Sequence, residues 1–179
     1  MSVPDDVAPY TVLFLCNTNC GRSIMAEAIL NRDGNGRFRA YSAGTRPASE
    51  VNPYALETLV AEGYPIIGLR SKSVEEFLGP DAPEMDFIFT LCDEAAGEET
   101  PEWPGDPATA HWGIENPSTI DGSPIDKERA FETAFHFLKN RLLAFSALPL
   151  KSLDRLSLHS HLQAIGQQDG ASASAEKVD

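Results

Sequence analysis

Three cysteines, at 16, 20 and 92, are the residues most able to do chemistry in this chain, and the first two share one short stretch with an arginine. In "LFLCNTNCGRSIMAEAIL", residues 13–30, Cys16 ends an apolar run and is followed after five residues by Arg22 and Ser23. The apolar run has the character of a buried strand, and the alternation that begins at Ser23 is that of a helix. A loop joining a strand to a helix N-terminus turns several backbone N–H groups and the positive end of the helix dipole toward one point, where a tetrahedral oxyanion fits. Arg22 adds a planar fork for two of its oxygens, and the same donors lower the pKa of the Cys16 thiol. On this reading Cys16 is a nucleophile, and Cys16, Asn17, Thr18, Asn19, Cys20, Gly21 and Arg22 form the oxyanion cradle. Ser23 can donate its hydroxyl to the Cys16 sulfur, Asn19 can hydrogen-bond within the loop, and Gly21 tolerates the backbone angles of a nest. A lone cysteine at a strand end is more often a small core residue. Cys-x5-Arg-Ser, however, arises by chance in roughly one chain in a hundred of this length, so the spacing favours the functional reading.

The elements that must position this loop follow from hydrophobic periodicity. Strands are expected at Thr11–Leu15, Arg39–Ser42, Phe87–Leu91 and, within a long polar loop, His111–Ile114. Helices are expected from Ser23 to about Arg32, from Pro53 behind the capping residue Asn52 to near Gly63, and from about Ile125 to Ala147. The third carries Phe131, Phe135, Leu138, Leu142 and Phe145 at helical spacing and stops before Pro149. "SVEE" at 73–76 has capping-box form before a short helix, and Ser152 is expected to cap a last amphipathic helix through Leu156, Leu162 and Ile165. Alternating strands and helices imply a single-domain α/β three-layer sandwich, a parallel sheet with helices on both faces and its ligand site at the carboxyl ends of the strands. Cys16 and Cys92 each follow a strand and should share that edge. Residues 1–10 read as an N-terminal extension, 11–166 as the domain, and 167–179 ("QQDGASASAEKVD") as a disordered tail.

Composition narrows the function. The chain has 179 residues with 27 acidic against 14 basic side chains, a formal charge of −13. That balance argues against nucleic acid and anionic membrane as partners, so any anion site must be local. "MSVPDDVAPY" has neither a basic nor an apolar leader region, no run reaches the roughly 20 residues of a membrane span, and an odd cysteine count implies reduced thiols. A cytoplasmic protein is expected. No zinc spacing appears, no bound metal is expected, and His159 and His161, two apart, would face different ways on a helix.

"VLFLCNTNCGRSIMAEAIL" followed by "YSAGT" resembles the low-molecular-weight protein tyrosine phosphatase superfamily, whose loop is Cys-x5-Arg-Ser. "FIFTLCDEAAGE", "HWGIENPS" and "FSALPLKSLDRLSLHSHLQAIG" resemble its arsenate reductase branch, above all members linked to glutathione and glutaredoxin. The likeness spans about residues 11–166. It implies a four-stranded parallel, flavodoxin-like sheet flanked by helices, with Cys16 as nucleophile, Arg22 as oxyanion clamp and Ser23 as thiolate donor. It makes Asn19 and Ser42 a hydrogen-bonded pair supporting the loop. Arsenate, phosphate or sulfate would occupy the loop, no cofactor would be bound, and the electrons would come from an external thiol donor, glutathione with glutaredoxin or thioredoxin. The resemblance implies arsenate reduction, with phosphotyrosine hydrolysis as first alternative and a catalytically weak oxyanion-binding or sensing protein as second.

Two departures from the family pattern bear on that choice. The family's general-acid Asp-Pro is Asn116-Pro117 here, and an amide supplies no proton, which forfeits roughly a hundredfold or more in expelling a phosphoester oxygen. Glu115 or Asp106 are the substitutes to consider. Of the two later cysteines of thioredoxin-linked reductases only Cys92 is kept, and Thr100 stands at about the place of the other, so a three-thiol relay is not expected. Cys92 is either a resolving thiol or a buried strand-end residue. Cys20 is either a second resolving thiol, shielding Cys16 as a reversible disulfide, or a solvent-facing loop residue. His111 could line the site, whereas Trp103 and Trp112 are better read as packing.

Overall fold

The apolar runs assemble as the alternation rule requires. In the computed structural model, which describes residues 8–97 and 102–172, strands β1 (Tyr10–Cys16), β2 (Phe38–Gly44), β3 (Phe87–Thr90) and β4 (Ala108–His111) form one parallel sheet ordered β2-β1-β3-β4. β1 is central, pairing Cys16 with Gly44 on one side and Leu15 with Thr90 on the other. From Val12 to Cys16, where it is buried on both faces, it is apolar without interruption. Val12, Phe14 and Cys16 enter the larger core, and Leu13 and Leu15 the smaller one.

The helices are α1 (Arg22–Asp33), α2 (Pro53–Ala61), α3 (Asp93–Gly97), α4 (Pro124–Ser146) and α5 (Arg155–Gly166). The larger core gathers Met25 and Ile29 from α1, Ala55 and Leu59 from α2, Leu162 and Ile165 from α5, and the five expected apolar residues of α4. α4 begins at a full capping box between Ser123 and Asp126, with Pro124 in its first turn. The opposite face is thinly covered: Leu13, Leu15, Ala43 and Ile88 meet Met85 and Phe77, the latter from the short 3-10 turn Val74–Phe77. Ser73 caps that turn by accepting from the Glu75 N–H, and Glu76 pairs with Arg70. No helix of the described residues is long and apolar enough to cross a membrane.

Three expectations are corrected. β4 lies at Ala108–His111, three residues before His111–Ile114. Trp112 and Ile114 are apolar because they are buried in the core beyond the strand: Trp112 stacks on Phe89 at 3.8 Å between ring centroids and donates its indole N–H to Leu162 O. Asp154, not Ser152, caps α5, accepting from the Ser157 N–H at 2.7 Å, while the Ser152 hydroxyl donates to Pro149 O. Gln167 to Ser172, assigned to a disordered tail, are docked: Gln168 and Asp169 carbonyls accept from Arg141, and Ala171 bridges Ile114.

Candidate active site

The loop between β1 and α1 turns its carbonyls away from its centre. Cys16, Asn17, Thr18 and Cys20 carbonyls accept from the N–H groups of Thr45, Arg46, Ala48 and Asn52, at 3.3, 2.9, 2.8 and 2.8 Å. Four of the loop's oxygens are thus tied to the chain beyond β2 and do not compete for an anion, as an oxyanion nest requires. This close approach needs Gly44: a Cβ there would lie 2.7 Å from Asn17 O and 3.0 Å from the Asn19 backbone nitrogen. Asn19 itself takes the left-handed conformation, φ 49°, which asparagine tolerates better than most residues.

Cys16 is buried at the floor of this loop. Its thiol pKa is lowered to about 6, first by a hydrogen bond from the Cys92 side chain, then by the Arg22 charge and by the backbone N–H and hydroxyl of Ser23, all acting against burial. Cys92, also buried, is pushed the other way, because it is hydrogen-bonded to Cys16 and desolvated. The two thiols thus hold one ionisable proton between them, with the charge on Cys16. The Cys92 sulfur also accepts from the N–H groups of Asn17 at 3.2 Å and Ala95 at 3.3 Å. Ser23 is oriented by Asn19, whose side-chain amide donates to its hydroxyl oxygen at 2.8 Å and leaves the hydroxyl proton for the sulfur. Arg22 is anchored by one guanidinium nitrogen that donates to Ile114 O at 2.7 Å and Leu91 O at 3.4 Å.

Asn19 does not pair with Ser42. Its side-chain oxygen accepts from the Lys72 backbone N–H at 2.7 Å, whereas the Ser42 hydroxyl lies 3.3 Å from both Glu27 Oε1 and Lys72 Nζ. Lys72, missed by the sequence reading, therefore stands between the two, and its buried ammonium faces buried Glu27 at 3.3 Å. Burial raises the Glu27 pKa and lowers that of Lys72, each opposed by the partner's charge. Nothing in "RSKS" distinguishes this lysine from a surface one, and Glu27 looks like an ordinary polar position of α1.

The family model described as low molecular weight phosphotyrosine protein phosphatase matches residues 11–156. The chain belongs to that family. Among relatives, an arsenate reductase of Bacillus subtilis (strain 168) is 30% identical over 135 residues, 75% of this chain and 94% of the relative. A solved structure described as an arsenate reductase in the phosphate binding state superposes with a TM-score of 0.63 at 27% identity, over 77% of this chain and 97% of that one. A thioredoxin-dependent arsenate reductase of Corynebacterium glutamicum superposes with a TM-score of 0.55 at 25% identity, over 75% of this chain and 60% of that one.

The Asn116 side-chain oxygen, at the position that the resemblance assigns to a general acid, is turned onto Ser118, accepting from its N–H at 3.0 Å and its hydroxyl at 2.7 Å, and so caps the 3-10 turn Pro117–Thr119. Asp106 is removed as a substitute acid by topology: it precedes β4, at the sheet edge opposite Cys16, and pairs with Arg155 at 2.8 Å. Glu115 follows β4 on the correct edge and is exposed. Cys20 is half-buried with its sulfur 3.1 Å from the Thr18 hydroxyl. Among the described residues all three cysteines are free thiols. His111 joins Thr90 at 2.7 Å and Asp93 at 3.0 Å. Trp112 is core, as expected, and Trp103 borders the smaller cluster. Thr100 lies outside the described residues.

Proposed function

We propose that the protein is a thiol-dependent arsenate reductase of this family, acting in a reducing, cytoplasmic compartment. The observation that carries the reading is the Cys92 sulfur seated against the oxyanion loop, where it accepts from the N–H of Asn17 at 3.2 Å, the residue next to a Cys16 whose thiol pKa is lowered. Arsenate occupies the nest against Arg22. The Cys16 thiolate attacks arsenic, an As–S bond forms, and one arsenic oxygen leaves as water after taking up protons. Once the Cys16 sulfur is bonded to arsenic its charge is gone, and with it the chief reason Cys92 holds its proton. Two backbone N–H groups and the Arg22 charge then favour the Cys92 thiolate. It attacks the Cys16 sulfur: an S–S bond forms, the As–S bond breaks, and its electron pair stays on arsenic, which passes from As(V) to As(III) and departs as arsenite. An external dithiol, thioredoxin or glutathione with glutaredoxin, returns two electrons to the disulfide. The absence of a carboxylic acid at 116 supports this reading over phosphotyrosine hydrolysis, because an alkoxide or phenoxide leaving group needs a proton donor more than an arsenic-bound oxygen does.

Arsenate-dependent NADPH consumption, with the thioredoxin and glutathione–glutaredoxin systems supplied separately, tests the activity. Peptide mapping after one turnover without reductant should find a Cys16–Cys92 disulfide. No arsenate-dependent turnover with either system, beside brisk hydrolysis of an aryl phosphate, would reverse the assignment.

A further inference from the structure

Beyond α5, and beyond the residues 11–156 that match the family model, the chain turns back across the site edge. Arg141 of α4, fully buried, donates to Gln168 O at 3.0 Å and Asp169 O at 3.1 Å, and also to Phe137 O. Burying a guanidinium is costly unless its donors are used, and here two of its bonds go to the backbone of this returning segment. Gly170 follows at φ +93°, so close to α4 that a Cβ would come within 2.4 Å of the Phe137 ring. Ala171 then pairs antiparallel with Ile114, the Ser172 N–H donates to Gly113 O at 2.9 Å, and the Ser172 hydroxyl donates to Asp93 Oδ1 at 2.6 Å. Asp93 is the residue after Cys92, and Ile114 O is the carbonyl that holds Arg22 at 2.7 Å.

We propose that residues 168–172 are a strap that sets the position of Arg22, with Arg141 and Ser172 as its positioning residues. The Gly113–Ile114 peptide lies past the last ladder bond of β4. It is held on one side by Leu91, whose carbonyl accepts from the Ile114 N–H at 3.2 Å, and on the other by Ala171 and Ser172. With the second side released, the Ile114 carbonyl can tilt, and the Arg22 guanidinium tilts with it. A fork displaced by even a fraction of an ångström binds a tetrahedral anion poorly, and its charge supports the Cys16 thiolate less. The inference rests on the reading of Arg22 as the oxyanion clamp and needs neither arsenate turnover nor a particular electron donor.

The test uses the full chain carrying Arg141→Met. Methionine fills the buried site, and its loss of charge removes a guanidinium whose Nε has no partner among the described residues, so the fold should persist while the strap is freed. Gly170→Ala, which lifts the strap off Phe137, is the second variant. Two readouts are taken: inorganic phosphate protection of Cys16 from iodoacetamide, and the pH midpoint of that alkylation. Both variants should bind phosphate about tenfold more weakly, with the midpoint raised by about half a unit and cooperative melting retained. In an Arg22→Lys background the same changes should have little further effect, because the group the strap positions is gone. Unchanged phosphate affinity in a folded Arg141→Met or Gly170→Ala protein overturns the strap, as does an equal loss in both backgrounds. If phosphate fails to protect Cys16 in the unaltered protein, the oxyanion loop itself is overturned and the strap with it.

Discussion

Replacing Cys92 with alanine removes the first-ranking cause of the low Cys16 pKa and leaves burial, which opposes ionisation, in place. A hydrogen bond to a charged group contributes about 1.5–3 kcal/mol, and about 1.4 kcal/mol moves a pKa by one unit. The Cys16 pKa should therefore rise from about 6 to roughly 7–8. At pH 6.5 the thiolate fraction then falls from about three-quarters to between a quarter and a few hundredths, and alkylation slows about three- to twenty-five-fold. At pH 9.5 both proteins are thiolates, and the variant should react as fast or faster because nucleophilicity rises with pKa. Cys92→Ser retains an O–H donor and should shift the midpoint far less. The assay is iodoacetamide labelling across pH with the modified residue identified by peptide mass, in a Cys20→Ser background. A midpoint that stays near 6 in Cys92→Ala would mean that Arg22 and Ser23 alone hold the thiolate, and the two cysteines could not be treated as one shared acid.

Other perturbations have equally definite outcomes. Cys16→Ser should abolish reductase and any phosphatase turnover with the fold intact, since serine is not ionised near neutrality; circular dichroism beside the activity assay checks both. The Cys16 pKa is depressed on folding, so its contribution to stability is present above the unfolded thiol value and lost as pH falls through about 6. It is bounded at about 4 kcal/mol. Cys92, with its pKa raised, takes stability away as pH climbs past the unfolded thiol value. Urea melts of wild type minus Cys16→Ser should thus show a gain between pH 6 and about 8.5 that falls again at higher pH, because the Cys92 penalty depends first on Cys16; a difference that stays level above about 8.5 would refute the coupling. Lys72→Met strands Glu27 in the interior and should cost about 3–5 kcal/mol, whereas Lys72→Met with Glu27→Leu should recover most of it; equal losses in the single and double variants would show that the ion pair is not what matters there. Asn116→Asp should raise aryl phosphate hydrolysis less than about tenfold, because the two Ser118 donors would keep the carboxylate ionised. Adding Ser118→Ala should raise the rate further, and steady-state kinetics on both variants decides.

What the sequence made legible is whatever lies within one turn of chain. Cys16, Arg22 and Ser23 occur in a single run, and their roles follow from a loop that runs from a strand into a helix. The five apolar residues of α4 announce their buried face by spacing alone. Apart from the α5 cap, where Asp154 and not Ser152 meets the Ser157 N–H, the misplacements involve partners distant in sequence. Asn19 and Ser42 are separated by Lys72, whose arrival depends on where the segment before the Val74–Phe77 turn crosses the sheet. Asp106 looks like a candidate acid until strand direction places it at the wrong edge. β4 is an edge strand of small residues, "ATAH", with a weaker apolar signal than the buried "HWGI" that follows it. Arg141 sits on α4 in the guise of a surface charge, and only its fully buried state shows that the polar residues after Gly166 have a place in the structure.

The outward-tied loop and its distant partners also determine when the nucleophile comes into being. Asn17 meets Cys92 across 75 positions of chain, and Arg22 meets Ile114 across 92. A nascent chain that has emerged only as far as β2 carries Cys16 as an ordinary thiol with a pKa near 8.5, a few per cent ionised at neutral pH. At synthesis rates of about 5–20 residues per second, several seconds pass before the second thiol and the Arg22 anchor exist. During that interval the cysteine is a slow target for oxidants and arsenicals. The same holds in reverse for a chain that loses the Cys92 edge by local unfolding: exposure of Cys16 coincides with the return of its proton.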